Sequence, residues 1–273
     1  MEMQKEHDRH KYNFTSTKKT SAIVDIVNVI KMLLGEVKIW RKAKIDKIEW
    51  QRAVRAHQKR KRAEITKILS SGRLTNLIYC GDSHVEMSAK LFSFDEIIDA
   101  GIVGSTISDC ANVMNKKSIN IKANFAVLII GTNDIISSKS LKTHMINKAR
   151  KDLRIIVRKL HQSSKFVLVA ALPPAKFAGS VRRSPIAVET YSHMIKEVCA
   201  RESCIYFDPF ESIRSERFGV AIPDVFLDAV HLNDYALLTS QIELKLNDIM
   251  LRHSTALNDN SNNARSFQKY NLR

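Results

Sequence analysis

Short apolar runs alternating with helical stripes restrict this chain to few folds. Runs that read as strands lie near residues 77–80, 97–100, 125–130, 165–171 and 204–208. Each is brief, as a buried strand is, and the first stops at a Gly followed by polar residues. Between the third and fourth runs, Ala149, Leu153, Ile156, Val157 and Leu160 recur at helical spacing. Between the fourth and fifth, Val188, Tyr191, Ile195 and Val198 do the same. Such alternation predicts a mostly parallel five-stranded sheet with helices on both faces, a three-layer α/β/α sandwich.

In such a sheet ligands bind at the carboxyl ends of the strands. The residues at those ends are therefore the ones to search. The first run, Leu77-Ile78-Tyr79-Cys80, ends in Gly81-Asp82-Ser83-His84, a turn that presents a serine before a helix-compatible segment. A serine needs a base, an orienting carboxylate and oxyanion donors to act as a nucleophile. The second run leads to Gly101-Ile102-Val103-Gly104-Ser105-Thr106, and the third to Gly131-Thr132-Asn133-Asp134. Near the C-terminus comes Asp228-Ala229-Val230-His231.

Taken in order, these four blocks resemble the GDSL esterase/lipase superfamily, also called SGNH hydrolases. The resemblance covers roughly residues 75–250. It implies a flavodoxin-like strand order, 2-1-3-4-5, and a serine esterase acting through an acyl-enzyme. By this resemblance Ser83 is the nucleophile, His231 the general base and Asp228 the carboxylate that orients it. The oxyanion donors are the Ser83 N–H, the Gly104 N–H and the Asn133 amide. Asp82 and Asp134 support the turns on which these residues sit. The implied chemistry needs no cofactor, and no metal is assigned; His7 and His10 have metal-like spacing but lie in a segment expected to be disordered. His84 stands where the family name has Leu. It is not taken as the base, because adjacent side chains rarely align well. The expected substrate is a small-molecule or saccharide O-acyl ester, an O-acetylated carbohydrate first, with a lysophospholipid or thioester as the alternative.

Charge separates this domain from what precedes it. The net charge is +16, and +11 of it falls in residues 1–75, which hold 19 Lys/Arg against 8 Asp/Glu. Residues 1–20 read as disordered, 21–72 as a basic amphipathic helical extension, 73–252 as the hydrolase domain and 253–273 as a disordered tail. The stretch Ser21–Trp40 is long enough to span a bilayer, yet Asp25, Lys31, Glu36 and Lys38 interrupt it, so a transmembrane helix is rejected. Residues 21–69 suit peripheral contact with an anionic membrane or a protein, the non-catalytic reading of the chain. Nucleic acid is unlikely, since no recognition module accompanies the charge. Met1 to Thr20 carries no signal-peptide pattern, and the four cysteines show no paired spacing. Both fit a cytoplasmic protein with reduced thiols.

Three further expectations are open to test. Asn233 is expected to cap the helix bearing Leu238, Ile242 and Ile249. The loop from Pro173 to Arg183 is expected to border the site, with Arg182 and Arg183 as candidate contacts to an anionic substrate. A protein truncated to start near Gly72 is expected to fold and keep its activity.

Overall fold

Strand β1 (Leu74–Gly81) is apolar on both faces from Leu77 onward, and so is β3 (Lys122–Ile129). Only the middle of a sheet covered on both sides buries both faces, and these two strands pair there. The molecule is seen in a computed structural model that describes residues 44–115, 119–136, 141–176 and 183–270. The remaining strands are β2 (Ile97–Gly101), β4 (Ser164–Ala170) and β5 (Ile205–Phe207). All five strands are parallel, in the order β2-β1-β3-β4-β5. This is the order expected from the family resemblance.

The helices are α1 over residues 44–69, α2 (Ser83–Ser88), α3 (Ile107–Asn115), α4 (Thr143–His161), α5 (Pro185–Glu202) and α6 (Ala236–Tyr270). One face of the sheet packs a core that includes Ile107 and Met114 of α3, Leu153 and Ile156 of α4, and Val188 and Ile195 of α5. The opposite face packs Val85 of α2 with Leu238, Ile242 and Leu246 of α6. The helical stripes at 149–160 and 188–198 are the buried faces of α4 and α5.

The chain divides into two compact units at His57/Gln58 rather than at residue 72. Within the first unit, residues 44–57 are helical and expose Ile45, Ile48 and Trp50. The expected disorder over 1–20 and the apolar stretch up to Trp40 lie outside the described residues. Within the second unit, the rest of α1 belongs to the domain core. Ile65 and Leu69 are almost fully buried and join the α3–α5 side of the core. Burial of two such side chains contributes about 3–6 kcal/mol, so a cut at Gly72 removes part of the domain. The expected tolerance of that cut is therefore withdrawn. The C-terminal boundary also differs: α6 continues to Tyr270, past the expected end of the domain at 252.

The cap of α6 is likewise corrected. The Asp234 carboxylate, not Asn233, accepts the first free N–H groups, from Ala236 at 2.8 Å and Leu237 at 3.4 Å. The Asn233 amide donates instead to the Asp224 carbonyl. Among the described residues no helix is long and apolar enough to cross a membrane.

Candidate functional site

The register of the sheet brings three loops side by side. Gly81 lies opposite both Gly101 and Ile129, so β1, β2 and β3 end at one level. The chain turns sharply after Gly81. A Cβ on Gly81 would sit 1.8 Å from the Ile129 carbonyl oxygen, the atom that accepts the Asp82 N–H at 3.2 Å. Only glycine allows the two backbones to approach so closely. Asp82 then caps α2, accepting the His84 N–H at 3.0 Å, and Ser83 becomes the first residue of that helix. Burial pushes the Asp82 carboxyl up to about 6, although the His84 N–H and the Arg183 charge pull it down.

Ser83 is 3% exposed. Its hydroxyl lies 3.1 Å from His231 Nε2, across 148 residues of sequence. On the other side of the ring, His231 Nδ1 lies 2.8 Å from Asp228 Oδ2. A carboxylate only accepts, so Nδ1–H is the donor. Nε2 of the neutral ring is then an acceptor for the serine proton. Asp228 Oδ1 meanwhile accepts the backbone N–H of Val230 at 2.6 Å and of His231 at 2.8 Å. Burial pushes this carboxyl up, but the hydrogen bonds from the His231 ring and from these two amides outweigh it. Asp228 is held well below the usual carboxylate range.

Gly104, Asn133 and Asp134 lie on the loops that follow β2 and β3, next to the turn after β1. Gly104 has φ +71°, a left-handed conformation suited to glycine. Asn133 Nδ2 donates to the Ser105 carbonyl at 2.9 Å and ties the β3–α4 loop to the β2–α3 loop. Asp134 closes its turn through its backbone N–H on the Gly131 carbonyl at 3.1 Å, while its Oδ2 takes the Ile107 N–H at 3.0 Å, at the start of α3; burial pushes the carboxyl up to about 7.

Arg183 is 3% exposed, so it is not a solvated loop residue. Its guanidinium stacks over the Phe226 ring, and Nη2 donates to the Ala229 and Val230 carbonyls at 3.3 and 3.4 Å. Those two residues lie between Asp228 and His231, so Arg183 braces the loop that carries both. Its Nε and Nη1 have no hydrogen-bond partner among the described residues. Arg182 lies outside the described residues. His84 is fully buried, with Nδ1 at 3.1 Å from the Tyr235 hydroxyl and its ring against Phe210. Burial, then the Arg183 charge, holds it well below the usual histidine range.

Sequence reasoning missed the supports of the second loop. Glu86 Oε2 accepts the Val103 N–H at 2.9 Å, and Gln58 Nε2 donates to the Val103 carbonyl at 2.7 Å. The one local signal was Glu86, a carboxylate in the first turn of α2; nothing near Gln58 marks it. Cavities of about 420 Å³ beside Asp208 and about 270 Å³ beside Leu232 are lined by other residues, not by Ser83. No group of His, Cys, Asp and Glu among the described residues has the arrangement of a metal site.

The fold recurs among solved structures. A candidate platelet activating factor from Streptococcus pneumonia shares the fold with TM-score 0.62, at 18% identity over 74% of this chain and 98% of that one. A GDSL-like lipase from Bacteroides thetaiotaomicron shares it with TM-score 0.56, at 15% identity over 71% and 98%. An acetyl xylan esterase does so with TM-score 0.50, at 19% identity over 62% and 98%. Among curated proteins none matches the sequence. The model of the GDSL-like lipase/acylhydrolase family matches residues 80–236, more than half the chain and all four blocks, and this chain belongs to that family of ester hydrolases.

Proposed function

We propose that this protein is a serine esterase whose catalytic residues are Ser83, His231 and Asp228. The observation that carries the reading is the unbroken hydrogen-bonded line from Ser83 Oγ through His231 to Asp228. The serine hydroxyl attacks the ester carbonyl while His231 Nε2 takes its proton. The imidazolium then protonates the leaving alcohol. Water, deprotonated by the same nitrogen, releases the acid from the acyl-enzyme. Asp228 selects the tautomer that leaves Nε2 unprotonated and stabilises the imidazolium.

The oxyanion is assigned to the N–H groups of Ser83 and Gly104 and to the Asn133 amide. In support, neither backbone N–H has an acceptor among the described residues, and Asn133 keeps one amide hydrogen after bonding Ser105. Asp82 and Asp134 act as supports, each through a backbone N–H at the start of a helix. Arg183, buried with its Nε and Nη1 closed off from solvent, is proposed as a brace for the loop of Asp228 and His231 rather than as a contact to an anionic group on a substrate. A small O-acetyl ester, such as an acetylated saccharide, is proposed first, by analogy with the acetyl xylan esterase that shares the fold. A lysophospholipid or thioester follows. The test is hydrolysis of p-nitrophenyl acetate by the full-length protein. Ser83→Ala is expected to reduce turnover to background; full activity in that variant would end the proposal.

A second reading concerns residues 44–57 and adds to the first. Trp50 is 65% and Ile45 55% exposed, on a helix that also carries Lys47, Arg52 and Arg55. Such a segment suits peripheral docking on an anionic surface. Full-length protein is expected to sediment with anionic vesicles more than with neutral ones, and less so as salt is raised. Equal sedimentation with both would remove this reading.

A further inference from the structure

Gln58 and Gly104 meet across a single peptide plane. The carbonyl that Gln58 Nε2 grips at 2.7 Å belongs to Val103, and the N–H on the far side of that peptide bond belongs to Gly104. In a trans peptide these two groups point in opposite directions. Whatever fixes the carbonyl therefore aims the amide. Gly104 makes this necessary. Its φ is +71°, and a glycine constrains the peptide before it least of all residues, so the 103–104 plane can rotate unless something holds it. The preceding peptide is held as well, through the Val103 N–H on Glu86 Oε2 at 2.9 Å.

Gln58 is itself held in place. Spaced along the same helix, Lys61 pairs with Asp99 at 2.7 Å and Arg62 with Asp109 at 3.0 Å, while Ile65 and Leu69 enter the core. These positions recur at the spacing of one helix face. Asp99 in turn accepts the Gly101 N–H at 2.9 Å. Asp109 accepts from both the N–H and the hydroxyl of Thr106, just before α3. The helix thus grips the loop 101–106 at both ends and in the middle.

We infer that Gln58 is a positioning residue for the reaction: by holding the Val103 carbonyl it aims the Gly104 N–H at the developing oxyanion. The inference rests on the esterase reading above. It places a working part of the site on a helix that lies outside residues 80–236, the span shared with the family. The bond also polarises the peptide, which strengthens the Gly104 N–H as a donor.

The test uses the full-length protein, p-nitrophenyl acetate and three variants: Gln58→Ala, Gln58→Glu and Gln58→Lys. Glutamate keeps the size and shape of glutamine but has no hydrogen to donate when ionised; lysine restores a donor. Alanine and glutamate are expected to lower kcat about tenfold, because a misaimed oxyanion donor loses part of the roughly 10²–10³ that one such donor is worth. KM is expected to stay within about twofold, Tm within a few degrees, and lysine to recover part of kcat. Amide exchange at residues 102–105 is expected to quicken in the alanine and glutamate variants. Wild-type kcat in Gln58→Glu, or a loss confined to KM, overturns the inference. If wild-type protein shows no Ser83-dependent hydrolysis, the esterase reading is what has failed. The clamp is then judged on exchange alone, and unchanged exchange at 102–105 overturns it.

Discussion

The nucleophile turn and the base loop meet at one hydrogen bond, yet they are built on opposite principles. The turn at Gly81–Ser83 is buried, continues a central strand and is pinned by backbone contact with Ile129. The loop at Asp228–His231 has no regular structure and leaves Asp228 half exposed; it is closed at its base by the Leu227 N–H on the His231 carbonyl at 2.8 Å, and between these ends it is shaped by bonds to that one carboxylate and to Arg183. The two aspartates express the difference. Asp82, sealed in the turn, is pushed up to about 6 by burial, whereas Asp228 is held down by the donors that surround it. A turn fixed by the sheet tolerates an uncomfortable carboxyl, because its geometry does not depend on that charge. A loop fixed by a carboxylate does depend on the charge.

Three experiments can break this contrast or sharpen it, from the largest effect to the smallest. Asp228→Asn keeps the shape of the side chain but turns a donor toward Nδ1 and favours the wrong imidazole tautomer. The kcat for p-nitrophenyl acetate is expected to fall by up to about 10⁴. A loss below tenfold would mean that the loop holds His231 without the carboxylate.

Arg183→Met keeps apolar contact with Phe226 but gives up the bonds to the Ala229 and Val230 carbonyls. About a tenfold loss is expected, carried by kcat, as befits a brace behind His231. A raised KM with unchanged kcat would instead make Arg183 a contact for the substrate.

The smallest effect is on stability. The folded pKa of Asp82, about 6, lies above the ordinary aspartate value of about 3.9. The group is then fully compatible with folding below pH 4, and stability falls as pH rises through 6. Asp134, pushed up to about 7, has the same sign. Tm is expected to drop by several degrees from pH 5 to pH 8. Asp82→Asn, which retains a good helix cap, should flatten part of that slope. A Tm that rises across this window would show that the turn, like the loop, needs its charge.

Much of this molecule was legible before the structure because it is local. Apolar runs ending in Gly mark strands and their carboxyl ends within a few residues. Asp228 and His231 are three apart, so a short stretch of backbone can bring them together, and the family resemblance implied that they act as a pair. The helical stripes of α4 and α5 gave their buried faces directly. The cap of α6 failed by one residue, Asp234 for Asn233, because both are good caps and only the path of the chain chooses between them.

What only tertiary structure decided is which distant groups hold the local motifs. The charge of residues 1–75 suggested a separate basic extension, whereas Lys61 and Arg62 pair with Asp99 and Asp109, and Ile65 enters the core. A helix face declares that it is amphipathic but not what it will cover. Gln58 is an ordinary residue on such a face, and its bond to Val103 spans 45 positions. The Ser83–His231 bond spans 148, and no periodicity reaches that far. The amino-acid sequence determined the strands, the turns and the chemistry each could carry. The register of β1, β2 and β3, set by packing on both faces of the sheet, brought three of those turns to one level, and the path of the chain between β5 and α6 brought His231 to Ser83.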